Sequence, residues 1–257
     1  MKQQTSHRHI EREFGVPIPG EILDPSKWTK TALKKMPDEG RLNWRELFGR
    51  TAPVVLDLGC GNGRYLLGSA LARPDRDHLG IDTLPVVIRY ARRRGNQRGL
   101  ANLRFAVIGA HEFLEDFVEP GSVGEIHCYH PQPYYDPDLV HKRLITPEFL
   151  MLVHRSLVPG GLFVFQTDNP GYWRYVKVVA PVFFDFAEHS GRWPDAPRGR
   201  TRREIIAGRK GLPIFRSSGE AKLDLSAEQA LKLALELPPP VFDADRRFRE
   251  ADLLDRG

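Results

Sequence analysis

The residues able to do chemistry begin at Asp57-Leu58-Gly59-Cys60-Gly61-Asn62-Gly63. An apolar, β-branched run (Val54, Val55, Leu56) leads into an acid and then into three glycines on alternate positions. This pattern predicts a buried strand that breaks into a tight turn and opens a helix. Glycine has no Cβ, so the turn can take positive φ and a ligand can lie against bare backbone. A second acid, Asp82, closes the next apolar run, Leu79-Gly80-Ile81. At the end of a second strand such an acid can accept hydrogen bonds from both hydroxyls of a ribose, or it can cap the helix that starts at Leu84.

Two ligand classes use a turn of this kind. Dinucleotide sites use G-x-G-x-x-G, with the pyrophosphate on the helix N-terminus. Here the spacing is G-x-G-x-G with a carboxylate two residues before it, which repels a pyrophosphate. S-adenosylmethionine carries a cationic amino group, a sulfonium and a ribose, so the same carboxylate suits it. The turn therefore favours S-adenosylmethionine, with a dinucleotide and a ligand-free turn as alternatives.

The elements that must position these groups follow from the rest of the chain. With 257 residues, 41% hydrophobic and 28% charged, the chain reads as one large α/β domain of a soluble protein. No apolar run reaches membrane-spanning length, and Met1-Lys2-Gln3-Gln4 lacks the apolar core of a signal peptide. Two cysteines, Cys60 and Cys128, without paired spacing suit a reducing cytoplasm. A net charge of +5 favours a polyanionic partner.

Residues 1–40 read as an irregular arm whose first dozen residues are disordered, residues 41–218 as the domain that binds S-adenosylmethionine for methyl transfer, and residues 219–257 as a C-terminal helix and tail. Asn43 is expected to cap a short helix, Trp44 to Phe48. Strands are expected at Pro53 to Leu58, Asp77 to Ile81, Leu103 to Ile108, Val123 to Tyr129 and Leu162 to Gln166, with a sixth at Phe183 to Phe186. Helices are expected at Gly63 to Ala72, Leu84 to Gln97, Glu112 to Phe117, Pro147 to Leu157 and Ser226 to Leu237. Strand–helix alternation over residues 53–168 predicts a Rossmann-like, doubly wound, mostly parallel sheet. Asp57, Asp82, Gln132 and Asp168 then fall at carboxyl ends of strands, where such sheets bind ligands.

Two basic stretches stand out. The second helix carries Arg89, Arg92, Arg93, Arg94 and Arg98. Residues 192–216 hold Arg192, Arg198, Arg200, Arg202, Arg203, Arg209, Lys210 and Arg216 against only Asp195 and Glu204. Both are candidates for nucleic-acid phosphates, and both could be solvated faces. His127, Cys128 and His130 alternate faces on a strand, so no metal site is expected. Pro131-Gln132-Pro133-Tyr134 lies where a methyl acceptor would sit. It lacks the adjacent prolines of the D/N-P-P-Y/F loop of amino-group methyltransferases, which disfavours that chemistry.

Several spacings occur together. The approach Leu42-Asn43-Trp44-Arg45-Glu46-Leu47-Phe48-Gly49-Arg50 precedes the first strand, and Gly80-Ile81-Asp82 ends the second. Asn102-Leu103 opens the third. His130 to Phe149 aligns without gaps on a loop F-P-D-P-W-P-K, a basic H-x-K-R-R and a P-E-F, with Pro131, Pro133, Arg143, Pro147, Glu148 and Phe149 matching. Leu157 to Gly161 gives L-x-P-G-G, Thr167-Asp168 follows, and Thr201 and Glu204 give T-x-x-E. From Leu42 to about Arg216 the chain thus resembles the tRNA (guanine-N7)-methyltransferase family. The resemblance implies a seven-stranded class I methyltransferase fold and methylation of guanine N7 at position 46, in the variable loop of tRNA.

By that resemblance Asp57, Gly59, Gly61, Asp82 and Gly109 hold S-adenosylmethionine. Gln132 stands at the family's loop acid and is the catalytic position. Asp136, Asp168, Thr201 and Glu204 contact the substrate. The family's loop tryptophan is Tyr134 here, its lysine is Asp136, and its acid after the third strand falls on Gly109 or His111. The expected partner is tRNA, and the expected state is a monomer, with a homodimer as the alternative. Rival readings are a tRNA-binding relative with weakened catalysis, a methyltransferase for another nucleic acid or a small molecule, and a dinucleotide oxidoreductase.

Overall fold

The structure is a computed structural model, and it describes residues 10–245 and 248–249. Its main helices are α1 (Trp44–Phe48), α2 (Arg64–Ala72), α3 (Pro85–Gln97), α4 (Pro147–Ser156), α5 (Pro170–Phe183), α6 (Arg202–Arg209) and α7 (Ala227–Glu236). Its main strands are β1 (Val54–Leu58), β2 (Asp77–Asp82), β3 (Leu103–Val107), β4 (Val123–Tyr129), β5 (Leu157–Thr167), β6 (Phe184–His189) and β7 (Phe215–Ala221). They form one sheet in the order β3-β2-β1-β4-β5-β7-β6. The first five strands run parallel, and β7 is inserted antiparallel between β5 and β6. No helix among the described residues is long and apolar enough to cross a membrane.

Local sequence explains the helix starts. Pro85, Pro147 and Pro170 each sit in a first turn, where the missing N–H costs nothing and φ is already helical. Asn43, Thr146, Asn169, Thr201 and Ser226 each cap a helix by accepting a backbone N–H. Every residue of β1 is buried. Val54, Leu56 and Leu58 join the larger core under α4 and α5, while Val55 joins the core under α2 and α3. Side chains alternate across a strand, so Asp57 shares the α2–α3 face with Val55.

The structure extends two expectations. β5 begins at Leu157, ahead of the expected Leu162, and runs to Thr167, and β6 runs to His189. α5 and β7 were not foreseen. α5 has Pro181 within it, and β7 reads Phe-Arg-Ser-Ser-Gly-Glu-Ala, without the apolar alternation that marks a strand.

The N-terminal arm docks on the domain from Ile10 onward; residues 1–9 lie outside the described residues. Arg12–Glu13 and Val16–Pro17 pair as a two-residue hairpin. Glu11 bonds Arg94 at 2.9 Å and Arg98 at 3.2 Å. Further on, Thr31 and Leu33 bracket Phe105 with backbone hydrogen bonds, so the arm covers the open edge of β3. Arg94 and Arg98 are thus buried structural residues, 8% and 4% exposed, rather than part of a phosphate-binding face.

Candidate active site

The turn after β1 is held open by glycine. Gly59 and Gly61 have φ of 81° and 53°, and a Cβ built on either meets nothing within 4 Å. Their backbone borders free space that a ligand can occupy. Gly63 has φ of 75° and caps α2, with Phe105 and Ala91 under 3.0 Å from where its Cβ would lie.

Asp82 ties this turn to the second strand. Its Oδ2 accepts the Gly61 N–H at 3.0 Å and its Oδ1 accepts the Leu84 N–H at 2.9 Å. Each oxygen keeps a lone pair for a further donor. Asp57 lies beside it in the sheet, paired in register with Gly80 and with His127. It is 1% exposed, and its Oδ1 has no hydrogen-bond partner. Burial first, and the charge of Asp82 second, push its carboxyl well above the usual range. An unmatched buried acid next to open glycine backbone suits a cationic ligand group.

The arm reaches this turn. Asn62 donates its Nδ2 to Glu13 Oε1 at 2.5 Å, and the same oxygen accepts Arg94 Nη2 at 3.0 Å. At the hairpin tip the Phe14 ring lies under Arg202 at 4.9 Å. The hairpin therefore joins the glycine turn to α6.

A second cluster lies at the carboxyl ends of β4 and β5. One pocket is lined by His130, Pro131, Gln132, Pro133, Tyr135, Thr167, Asp168, Asn169, Arg203 and Phe248. Trp193 Nε1 donates to Gln166 Oε1 at 2.5 Å. A tryptophan can only donate, so Gln166 turns its NH₂ to His130 Nε2, 2.8 Å away. His130 then carries its proton on Nδ1 and gives it to Asp168 Oδ1 at 2.9 Å. Arg203 donates Nε and Nη2 to the other Asp168 oxygen. Burial opposes ionisation of Asp168, but the His130 and Arg203 bonds outweigh it and hold its pKa at about 2.

Behind the pocket runs a buried polar chain. Arg200 stacks on Trp193 at 3.9 Å and donates to the Tyr129 hydroxyl at 3.0 Å. Tyr129 meets His127 Nδ1, and His127 Nε2 meets Tyr65 and Glu125. His127 and His130, considered above for a metal, belong to two separate hydrogen-bond systems.

The remaining expected site residues fall as follows. Gln132 lines the pocket, and its amide has no hydrogen-bond partner among the described residues. Gly109 caps the short helix Ala110–Glu112 after β3. Asp136 is exposed, lies outside the pocket lining, and caps the turn Pro137–Lys142 by accepting the Asp138 N–H. Thr201 accepts the Glu204 N–H as the cap of α6. Glu204 is 3% exposed and gives its oxygens to Arg216 Nη2 at 2.6 Å and the Arg200 N–H at 2.8 Å. Arg203 and Arg216 are thus internal ion-pair partners and the half-buried Arg200 pairs with the exposed Asp195 at 2.7 Å, which leaves Arg192, Arg198 and Arg209 as the exposed arginines of that run.

Sequence reasoning missed His130 as a partner of Asp168, and it missed Gln166, Trp193, Arg203 and Glu13. The one available signal was the placement of His130 at the end of a strand beside Gln132.

Comparison with known proteins agrees with this fold. A family model described as "Putative methyltransferase" matches residues 51–216, so the tail lies beyond the matched segment. A tRNA (guanine-N(7)-)-methyltransferase of Alcanivorax borkumensis is 32% identical over 184 residues, 72% of this chain and 76% of that protein. One of Halorhodospira halophila is 33% identical, covering 70% of this chain and 79% of the other. Among solved structures, the 16S rRNA methyltransferase KamB superposes with a TM-score of 0.54 at 17% identity, covering 73% of this chain and 95% of its own. The fold is therefore that of the class I S-adenosylmethionine-dependent methyltransferases, and the chain belongs to the tRNA (guanine-N7)-methyltransferase family.

Proposed function

We propose that this protein transfers a methyl group from S-adenosylmethionine to N7 of a guanine in tRNA, at position 46 of the variable loop. The observation that carries the reading is a juxtaposition. The open glycine turn ends β1, and the Gln132–Asp168 pocket ends β4 and β5, its two successive neighbours in the sheet. Donor and acceptor would then meet above adjacent strands. The cytoplasm and a monomeric state belong to the same reading.

The residues present fit the donor. Asp57 would hold its cationic amino group, Asp82 would accept from the ribose hydroxyls, and Gly59 and Gly61 would leave room for it. When bound, S-adenosylmethionine supplies a methyl group made electrophilic by its sulfonium. Guanine N7 would attack that carbon with its lone pair as the carbon–sulfur bond breaks and its electron pair leaves on the neutral thioether; N7 has no proton to lose, so no general base is required. The protein's contribution is to hold nucleophile and methyl carbon in line, which can account for most of the rate.

Gln132 can direct its amide oxygen at the purine as that ring becomes cationic. Asp168 and Glu204 are already engaged by arginines, so in this reading they fix the pocket wall and α6 around the base. Thr201 does the same as the cap of α6. The exposed arginines Arg89, Arg93, Arg192, Arg198 and Arg209 would meet tRNA phosphates.

Gln132 and the clamped Asp168 favour one second reading, a tRNA-binding relative with little turnover. Purified protein incubated with tRNA and labelled donor separates the two. Methyl transfer that falls steeply with added salt supports the enzyme. Salt-sensitive binding with no transfer supports the relative, and salt-insensitive transfer points away from a polyanionic substrate.

A further inference from the structure

The C-terminal tail ends its described course in the acceptor pocket. After α7 the chain passes Pro238-Pro239-Pro240 and turns back across the start of α5. Tyr175 donates its hydroxyl to the Pro238 carbonyl at 2.9 Å, and Arg143 Nη1 donates to the Pro240 carbonyl at 2.6 Å. The Arg143 guanidinium lies 3.7 Å over the Phe242 ring, which also packs on Tyr172. Asn169 donates its Nδ2 to the Ala244 carbonyl. Gly171 admits the tail where no other residue could, because a Cβ there would lie 2.3 Å from the Asp243 carbonyl oxygen. The domain is thus shaped to receive this segment, within a few residues of Asp168.

Phe248 follows, 9% exposed, and lines the same pocket as Gln132 and Asp168. The polar lining groups can address the edge of a base. A purine also presents two apolar faces, and an aromatic ring is their natural cover. Building on the reading of this pocket as the guanine site, we propose that Phe248 is the stacking platform for the methyl-acceptor base. The tail, which lies beyond the family segment, therefore completes the site in cis. Stacking grows stronger once methylation gives the purine a positive charge, so the same contact favours the developing product.

The test compares wild type with Phe248→Ala and Phe248→Trp in the full chain. Phe248→Ala is expected to lose about tenfold or more in kcat/KM for tRNA, with KM for S-adenosylmethionine unchanged. Phe248→Trp, which keeps an aromatic face, is expected to retain more activity than Phe248→Ala and to show fluorescence quenching by 7-methylguanosine 5′-monophosphate beyond that of wild type. Unchanged activity in Phe248→Ala overturns the proposal. Raised activity does so too, since it would make the tail a plug. Absence of extra quenching in Phe248→Trp also overturns it. If wild type methylates no tRNA, the functional reading fails by itself, and the quenching titration alone decides whether Phe248 meets a purine.

Discussion

Arg203 places two N–H donors, Nε at 3.0 Å and Nη2 at 2.7 Å, on a single oxygen of Asp168. The side chains are 7% and 6% exposed, so the pair is shielded from water. Removing one partner strands a buried charge, which typically costs about 3–5 kcal/mol. Arg203→Met should therefore destabilise the fold by roughly 3 kcal/mol in urea unfolding, and adding Asp168→Asn should recover part of it. A loss under about 1 kcal/mol in the single variant would mean that the pair is not a structural clamp.

Glu13 links the arm to the glycine turn after β1. Its Oε1 serves both Asn62 and Arg94, and its side chain is 6% exposed. Glu13→Gln weakens both bonds and removes the countercharge beside Arg64 and Arg94. The expected result is a several-fold rise in the Kd for S-adenosylmethionine by calorimetry, with a lowered Tm. A lower Tm with unchanged Kd would restrict the arm to a packing role.

The raised pKa of Asp57 has a definite sign. Burial, then Asp82, favours its protonated form in the folded protein, so its contribution to stability is fullest below the ordinary carboxylate pKa and is lost as pH rises. A cationic ligand group favours the ionised form and displaces the proton. S-adenosylmethionine affinity should therefore rise with pH, and its titration heat should differ between phosphate and Tris buffers. Asp57→Asn should abolish that difference. Equal heats in wild type would separate Asp57 from the cationic group.

Acid sensitivity should come from two buried histidines. Burial holds His78 down at about 3, and burial holds His127 at about 4 against the upward pull of Glu125. The unfolded chain binds these protons nearer pH 6.5, so their stability is present above that pH and is lost as pH falls toward the folded values. Each contributes a slope of up to about 1.4 kcal/mol per pH unit in that window. His78→Asn should flatten the fall in unfolding free energy between pH 6.5 and 5 by about one proton. Identical slopes would exclude His78 as a source.

The parts of the fold that the sequence announces are those set by local rules. Val54–Leu58 and its glycine turn, Val123–Tyr129, and the helices begun by Pro85 and Pro147 all follow from apolar period and caps. β7 does not, because its serines and glycine take their register from β5 and β6 on either side. The same divide runs through the site. Asp57 and Asp82 are marked by their strand ends. The clamp of Asp168 by Arg203, and of Glu204 by Arg216, depends on which distant arginine folds inward, and a basic run carries no trace of that choice. Arg94 and Arg98 mislead for the same reason, since their countercharges come from Glu11 and Glu13 in the arm.

The central claim is tested most directly by the methylated nucleotide itself. Mass spectrometry of tRNA from cells with and without this protein should find 7-methylguanosine at position 46 only when the protein is present. The same modification in both samples, or a methyl group on a different base or atom, would contradict the account.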